Sequence, residues 1–188
     1  MGKKLVTPIF RVSFPVLAEA KAMEGQAGSK AKFSVCAVWD PSKFSPKEKE
    51  LWQAMKVLAD ETSMEKFKKK LDQLPGNFKK PFRDGAEKED LTGFGPGKVF
   101  SNLSSLMRPG VIDRDRTPIT DYEEVYPGCY ARATITSYAY DVSGGRGVAF
   151  GLQNLQKVKD GDRLDSRTDA SEDFEDDLDS RDEEDPLA

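Results

Sequence analysis

Residues 129–140 constrain this chain most, because they alternate without a break. Even positions carry Tyr130, Arg132, Thr134, Thr136, Tyr138 and Tyr140, and odd positions carry Cys129, Ala131, Ala133, Ile135, Ser137 and Ala139. Extended backbone sends alternate side chains to opposite faces, whereas a helix would mix the two sets. One face is small and mostly apolar, suited to the inside of a tightly curved sheet. The other presents three phenol rings, a guanidinium and two hydroxyls. A second run over residues 147–153 follows through Asp141 to Arg146, a connection holding Gly144 and Gly145, and the pair predicts a β-hairpin with strands over 128–140 and 147–153.

Upstream, Phe10, Val12 and Phe14 alternate with Arg11 and Ser13, which predicts a strand with Pro15 as its limit. Residues 18–30, rich in Ala, Gly, Lys and Glu, read as a loop. Phe33, Val35, Ala37 and Trp39 alternate with Lys32, Ser34 and Cys36 in the next strand. Ser45-Pro46-Lys47-Glu48 then joins a capping box to a first-turn proline, and Leu51, Met55 and Leu58 follow at helical spacing. A second cap at Thr62 to Glu65 precedes Phe67, Leu71 and Leu74, so two short helices ending at Pro75-Gly76 are expected. Residues 75–97 read as a long loop and 98–107 as a strand. The body is thus a strand-rich α+β domain with a helical insertion at about residues 46–74 and no internal repeat.

Charge divides the chain. Of its 33 acidic and 29 basic residues, 13 and 3 lie after Asp160, so a body of net +6 carries a tail of net −10. Beyond Gly161 apolar residues nearly vanish, and residues 162–188 are expected to be disordered because they bury too little to offset ordering entropy. Asymmetry of this kind points to a nucleic-acid partner or a regulatory tail.

Several classes of chemistry fail on composition. The chain has no histidine, which removes Ser-His and Cys-His nucleophile pairs and His-containing metal sites. Cys36 and Cys129 lack metal-type spacing and form no disulfide framework, which fits a reducing cytosol. No apolar run is long enough to span a membrane. Gly93 to Val99 lacks the first glycine and the hydroxyl residue of a phosphate loop, and Pro96 removes an amide donor. No cofactor is implied. Asp113, Asp115, Asp121, Glu123 and Glu124 are the residual carboxylates a metal nuclease would need, and read otherwise as turn and surface charges.

What remains is recognition. Aromatic faces stack on bases and arginines pair with phosphates, so the even face of residues 129–140 suits a single strand of nucleic acid. Its bland alternative is a set of amphipathic core tyrosines. Basic and aromatic residues interleave elsewhere, at Lys79, Lys80, Phe82 and Arg83, at Phe94, Lys98 and Phe100, and at Arg108 and Arg146. Trp39 and Trp52 sit in apolar periodic contexts and read as core, and Lys66 to Lys70 read as a solvated helix face.

Six segments carry a resemblance. Val125-Tyr126-Pro127-Gly128-Cys129-Tyr130-Ala131-Arg132-Ala133 is followed by Tyr138-Ala139-Tyr140, then by Gly147-Val148-Ala149-Phe150-Gly151-Leu152-Gln153-Asn154-Leu155-Gln156-Lys157-Val158, closing at Asp160-Gly161. With Thr7-Pro8 to Phe14-Pro15 and Arg108-Pro109-Gly110-Val111-Ile112-Asp113, residues 5–161 resemble a family of bacteriophage single-stranded DNA-binding proteins. The resemblance implies a mainly β, OB-fold-like five-stranded barrel over residues 1–161, with the helices as an insertion. It implies a non-enzymatic, sequence-tolerant binder of single-stranded DNA in phage replication, recombination or repair, in the cytoplasm of the infected host, with a homodimer among the allowed assemblies. Tyr130, Tyr138, Tyr140, Phe100 and Phe82 would stack on bases, and Arg132, Arg146, Lys98, Arg108 and Arg83 would hold phosphates. The acidic tail would regulate DNA binding and dock replication or recombination proteins through Phe174, Asp176, Asp177, Asp182, Glu183, Glu184, Asp185 and Leu187. The rival expectation is a protein-interaction or chaperone-like module acting through that tail.

Overall fold

The hairpin is the spine of the architecture. In the computed structural model, which describes residues 2–24 and 28–165, strands β7 (Tyr130–Val142) and β8 (Gly145–Lys159) pair antiparallel from Tyr130 opposite Lys159 to Val142 opposite Gly145. Both run past their expected ends, leaving only Ser143 and Gly144 between them, with Gly145 at φ 148°. The odd set of β7 does face inward: Ala131, Ala133 and Ile135 are buried, while Arg132 and Tyr138 are exposed.

Three further strands complete the main sheet. β2 (Phe10–Lys21), β3 (Lys32–Trp39) and β5 (Val99–Ser105) form an antiparallel meander, β5 pairs in parallel with β8, and β2 pairs with β7. The circuit β2-β3-β5-β8-β7 therefore closes on itself as a five-stranded barrel, the strand order of an OB fold. β1 (Leu5–Val6) lies on β7, β4 (Arg83–Asp84) on β5, and β6 (Gly110–Ile112) on β8. Inside sit Phe10, Val12, Val35, Ala37, Trp39, Leu103, Ile135, Phe150 and Leu152.

One helix stands where two are expected. α1 (Pro46–Phe67) begins at the anticipated capping box, with Ser45 Oγ accepting the Glu48 N–H and Glu48 accepting the Ser45 N–H. Thr62 and Ser63 do not start a second helix. Thr62 Oγ1 donates back to the Leu58 carbonyl, and the buried Ser63 Oγ donates to the Lys69 carbonyl. The helix stops at Lys68, in left-handed conformation at φ 61°. Trp52, Met55 and Ala59 fall on one buried face and join the barrel core, so the insertion shares one hydrophobic interior with the sheet.

β2 departs most from expectation. Pro15 does not end it, and residues 18–21 continue the strand rather than starting a loop. Between Ser13 (opposite Cys36) and Val16 (opposite Ser34) β2 advances three residues while β3 advances two, so a bulge inserts one residue. Proline is tolerated there because a bulge needs no ladder N–H from it. Phe14 takes φ 44° at this point, and its ring leaves the interior face that alternation assigns it to stand 54% exposed. A non-glycine residue held at positive φ costs on the order of 1–3 kcal/mol.

Outside the barrel, Cys36, Val38, Phe94 and Phe100 form a second buried cluster on the outer face of β3 and β5, closed by the loop that carries Phe94. Burial pushes the thiols of Cys36 and Cys129 up to about 11, so both are inert at neutral pH. Among the described residues no helix is long and apolar enough to cross a membrane.

Candidate nucleic-acid interface

The even face of β7 divides into two ends. Tyr130 and Tyr140 are ten residues apart, or about 33 Å along a strand, so no single base can touch both. At the Tyr130 end the chain folds back on itself. Lys159 Nζ lies 4.7 Å and the Arg11 guanidinium 5.9 Å from the Tyr130 ring centre. Residues 160–165 run across this end: Arg11 Nη2 donates to the Asp162 carbonyl at 2.7 Å, and Leu164 N–H donates to the Pro127 carbonyl at 2.9 Å. Tyr126 anchors the turn, its hydroxyl accepting the Gly161 N–H at 3.1 Å and lying 3.1 Å from Asp160 Oδ1. Lys157 Nζ reaches the same carboxylate at 2.7 Å and holds Asp160 below the usual carboxylate range. Sequence reasoning places the end of the body at Gly161, but Asp162 to Asp165 are tied to it.

The Tyr138 end is open. Tyr138 is 39% exposed, and its ring centre lies 6.4 Å from that of the half-buried Tyr140 at 48°. Burial and the neighbouring Tyr138 raise the Tyr140 phenol above its ordinary value, so it is neutral at physiological pH. The register sets both rings beside small residues of β8: Tyr138 opposite Ala149, Tyr140 opposite Gly147 and Thr136 opposite Gly151. A Cβ at Gly151 would come within 2.7 Å of Thr136 Oγ1 and 3.8 Å of Tyr138 Cε1, so only glycine leaves this floor flat. At Gly147 the Lys79 carbonyl occupies the space, because Lys79 N–H donates to Arg146 O at 2.9 Å and its carbonyl accepts Val148 N–H at 3.0 Å. That bridge brings Lys79 and Lys80 to the rim. On the other side a hollow of about 390 Å³ separates Tyr138 from Thr62, Glu65 and Lys66 of α1.

The expected cations fall into different roles. Arg146 is exposed at the rim, 5.4 Å from the Phe78 ring centre and 3.6 Å from Asp141 Oδ1. Arg132 is exposed near the start of β7, at the Tyr130 end, its Nε donating to Gln156 Oε1 at 2.7 Å. Arg83 is exposed on β4, where Nη2 meets Glu87 Oε2 at 2.6 Å. Lys98 is half-buried and donates to the Gly93 carbonyl at 3.1 Å, bracing the loop. Arg108 lies at the far end of the barrel, stacked 5.4 Å from Phe33 and 5.5 Å from Tyr122, with Nη2 donating to Ala18 O at 2.7 Å.

Two stacking expectations are corrected. Phe100 is fully buried beneath Phe94, with Lys88 Nζ 4.8 Å and the Arg83 guanidinium 4.9 Å from its ring centre, and presents no face to a base. Phe82 is half-buried and wedged edge-on between Trp52 at 4.9 Å and Phe150 at 5.3 Å, so it is core. The residual carboxylates are turn residues: Asp113 accepts the N–H groups of Asp115 and Thr117, and Asp121 accepts that of Glu123. Among the described residues no three acidic or cysteine side chains gather as a metal site. Phe174, Asp176, Asp177, Asp182, Glu183, Glu184, Asp185 and Leu187 lie outside the described residues.

An open aromatic face on a closed five-stranded barrel has relatives. Residues 3–187 match the family model described as the single-stranded DNA-binding protein of Enterobacter phage Enc34. The chain belongs to that family. It is 32% identical over 183 residues to putative protein p50 of Acyrthosiphon pisum secondary endosymbiont phage 1, covering 95% of each chain. Among solved structures, the Enc34 single-stranded DNA-binding protein in complex with single-stranded DNA superposes with TM-score 0.71 at 18% identity, over 86% of this chain and 89% of that one. The single-stranded DNA-binding protein gp2.5 of bacteriophage T7 gives 0.56 at 11% identity, over 89% and 97%. At these identities the superpositions establish the shared fold.

Proposed function

We propose that this chain binds single-stranded DNA without reading its sequence, in phage replication, recombination or repair. The observation that carries this reading is the open end of β7, where Tyr138 and Tyr140 stand over the flat floor of Ala149 and Gly151 with Arg146, Lys79 and Lys66 around them. A π-face accepts any base, and each stack contributes roughly 1–3 kcal/mol, so such a surface holds a strand without selecting a sequence. Duplex DNA hides its base faces and would offer only phosphates. Binding at this end is therefore selective for single strands, and the cations supply a salt-dependent part of about −0.7 in log–log slope per phosphate neutralised.

The acidic tail is proposed to compete with DNA for the same cations and to dock replication or recombination proteins. Residues 166–188 hold 11 acidic and 2 basic residues, a net of −9. They follow directly on the segment tied down at Asp162 and Leu164. A chain ending after Asp165 keeps that segment and is expected to bind a thymidine oligomer more tightly than full length at low salt. The gap should close as salt screens charges beyond roughly 10 Å at 0.1 M. Equal affinities at low salt would remove the competitive role of the tail.

A further inference from the structure

Phe14 is the residue whose placement the fold itself does not require. Strand alternation puts it inside with Phe10 and Val12, and it is apolar enough to stay there. The structure instead inserts a bulge, takes φ to 44° and turns the ring outward to 54% exposure. Strained backbone that expels a phenylalanine into water works against both burial and conformational preference, and bulges that re-aim a side chain are enriched beside functional sites.

The surroundings of the ring are those of a stacking platform. Phe14 leans on Phe94, centroids 6.4 Å apart at 35°, which supports one side of the ring. Lys88 Nζ lies 5.7 Å from the Phe14 ring centre and 5.5 Å from that of Phe94, a cation at the edge of an aromatic surface. Among the described residues Lys88 has no carboxylate within ion-pair distance, whereas neighbouring Glu87 is held by Arg83 and Asp84 caps the Ala86 N–H.

The registers place this platform across the sheet from the tyrosines. Tyr138 is opposite Ala149 on β8, Gly151 of β8 opposite Ser104 on β5, Asn102 of β5 opposite Cys36 on β3, and Cys36 opposite Ser13, next to Phe14, on β2. That is four strand spacings, or about 19 Å of sheet surface at about 4.8 Å each. Between the two platforms Ala149, Gly151, Ser104 and Asn102 of β8 and β5 are small or short polar residues, and over β3 the path crosses the buried Cys36 cluster that the loop carrying Phe94 covers. We infer that Phe14, with Lys88 beside it, is a second base-stacking site, and that one DNA strand crosses the β8-β5-β3 surface from Tyr138 and Tyr140 to reach it.

This inference rests on the single-strand reading of the previous subsection, and the experiment separates the two. Affinities of the full chain, Phe14→Ala, Phe14→Gly, Lys88→Gln and the double variant Tyr138→Ala/Tyr140→Ala are measured by anisotropy on thymidine oligomers of about 4 and about 16 nucleotides, the range one OB fold covers. On the long oligomer both Phe14 variants are expected to lose about 5- to 150-fold, the fold-change equivalent of one base stack. Lys88→Gln should lower the magnitude of the salt slope by about 0.7. On the short oligomer the Phe14 variants should match the parent, because four nucleotides need not reach the second platform. Phe14→Gly accepts the positive φ without strain and should melt no lower than the parent, which keeps the test valid if Phe14→Ala folds poorly. Parent-like binding of the long oligomer by Phe14→Gly, with the tyrosine variant weakened, overturns the second platform and leaves the function standing. A change in oligomeric state without a change in DNA affinity also overturns it, by making Phe14 a contact between copies. Failure of both the parent and a chain ending after Asp165 to bind either oligomer overturns the function itself.

Discussion

Replacing Tyr138 and Tyr140 together by alanine is expected to weaken binding of a long thymidine oligomer by about 30- to 20,000-fold, since two stacks at roughly 1–3 kcal/mol each are removed. The fold should survive. Tyr138 is exposed and Tyr140 half-buried, while the inward side of β7 at Ala133 and Ile135 is untouched. Replacing both by phenylalanine is the control, because the ring stacks without its hydroxyl and affinity should stay near that of the parent. A double alanine variant that binds as the parent does would remove this end of β7 from the interface. A phenylalanine variant as weak as alanine would transfer the effect from the rings to the hydroxyls.

Trp52→Ala is expected to cost about 3–5 kcal/mol of stability, the range for truncating a large buried aromatic side chain. Trp52 links the helix to the barrel through Trp39 at 5.1 Å, Phe44 at 5.4 Å and Phe82 at 4.9 Å, and Phe82 continues to Phe150. The melting temperature should fall by about 6–20 °C, at roughly 2–4 °C per kcal/mol for a chain of this size, in one transition. A single transition follows because Trp52, Met55 and Ala59 share a core with Trp39 and Phe150. Two separated transitions, or a loss below about 1 kcal/mol, would make α1 an independent annex. Trp52→Ala should also weaken DNA binding indirectly, because Phe82 rests on Trp52 and belongs to the segment that carries Lys79 to the rim.

The hairpin was legible because nothing in residues 129–140 competes with period two, and both the faces and the pairing follow from it. The capping box at Ser45 was legible for the same reason, being local chemistry. Phe14 was not, since a bulge arises from fitting β2 around a curved sheet, and the sequence there still alternates cleanly. Thr62 and Ser63 carry the residues of a helix start, but their hydroxyls donate to carbonyls of the helix and of the turn beyond it, so a tertiary arrangement overrides a local signal. In the site, composition could nominate rings and cations but not the side of the sheet on which they stand. Phe100 alternates as an outward residue of β5 and does point outward, yet Phe94 covers it from a loop whose path no pattern encodes. The places of Lys88 and Lys79 are hidden for the same reason, because they depend on how residues 75–97 lie against the barrel.

The measurement that tests the central claim most directly is anisotropy of a labelled thymidine oligomer titrated with the full chain at several salt concentrations, with unlabelled duplex of equal length as competitor. The account predicts saturable binding that weakens with salt and that duplex fails to displace. Displacement by duplex at equal concentration would show that phosphates alone are recognised. No binding by either the full chain or one ending after Asp165 would contradict single-strand binding and leave the acidic tail, with a protein partner, as the working part of the molecule.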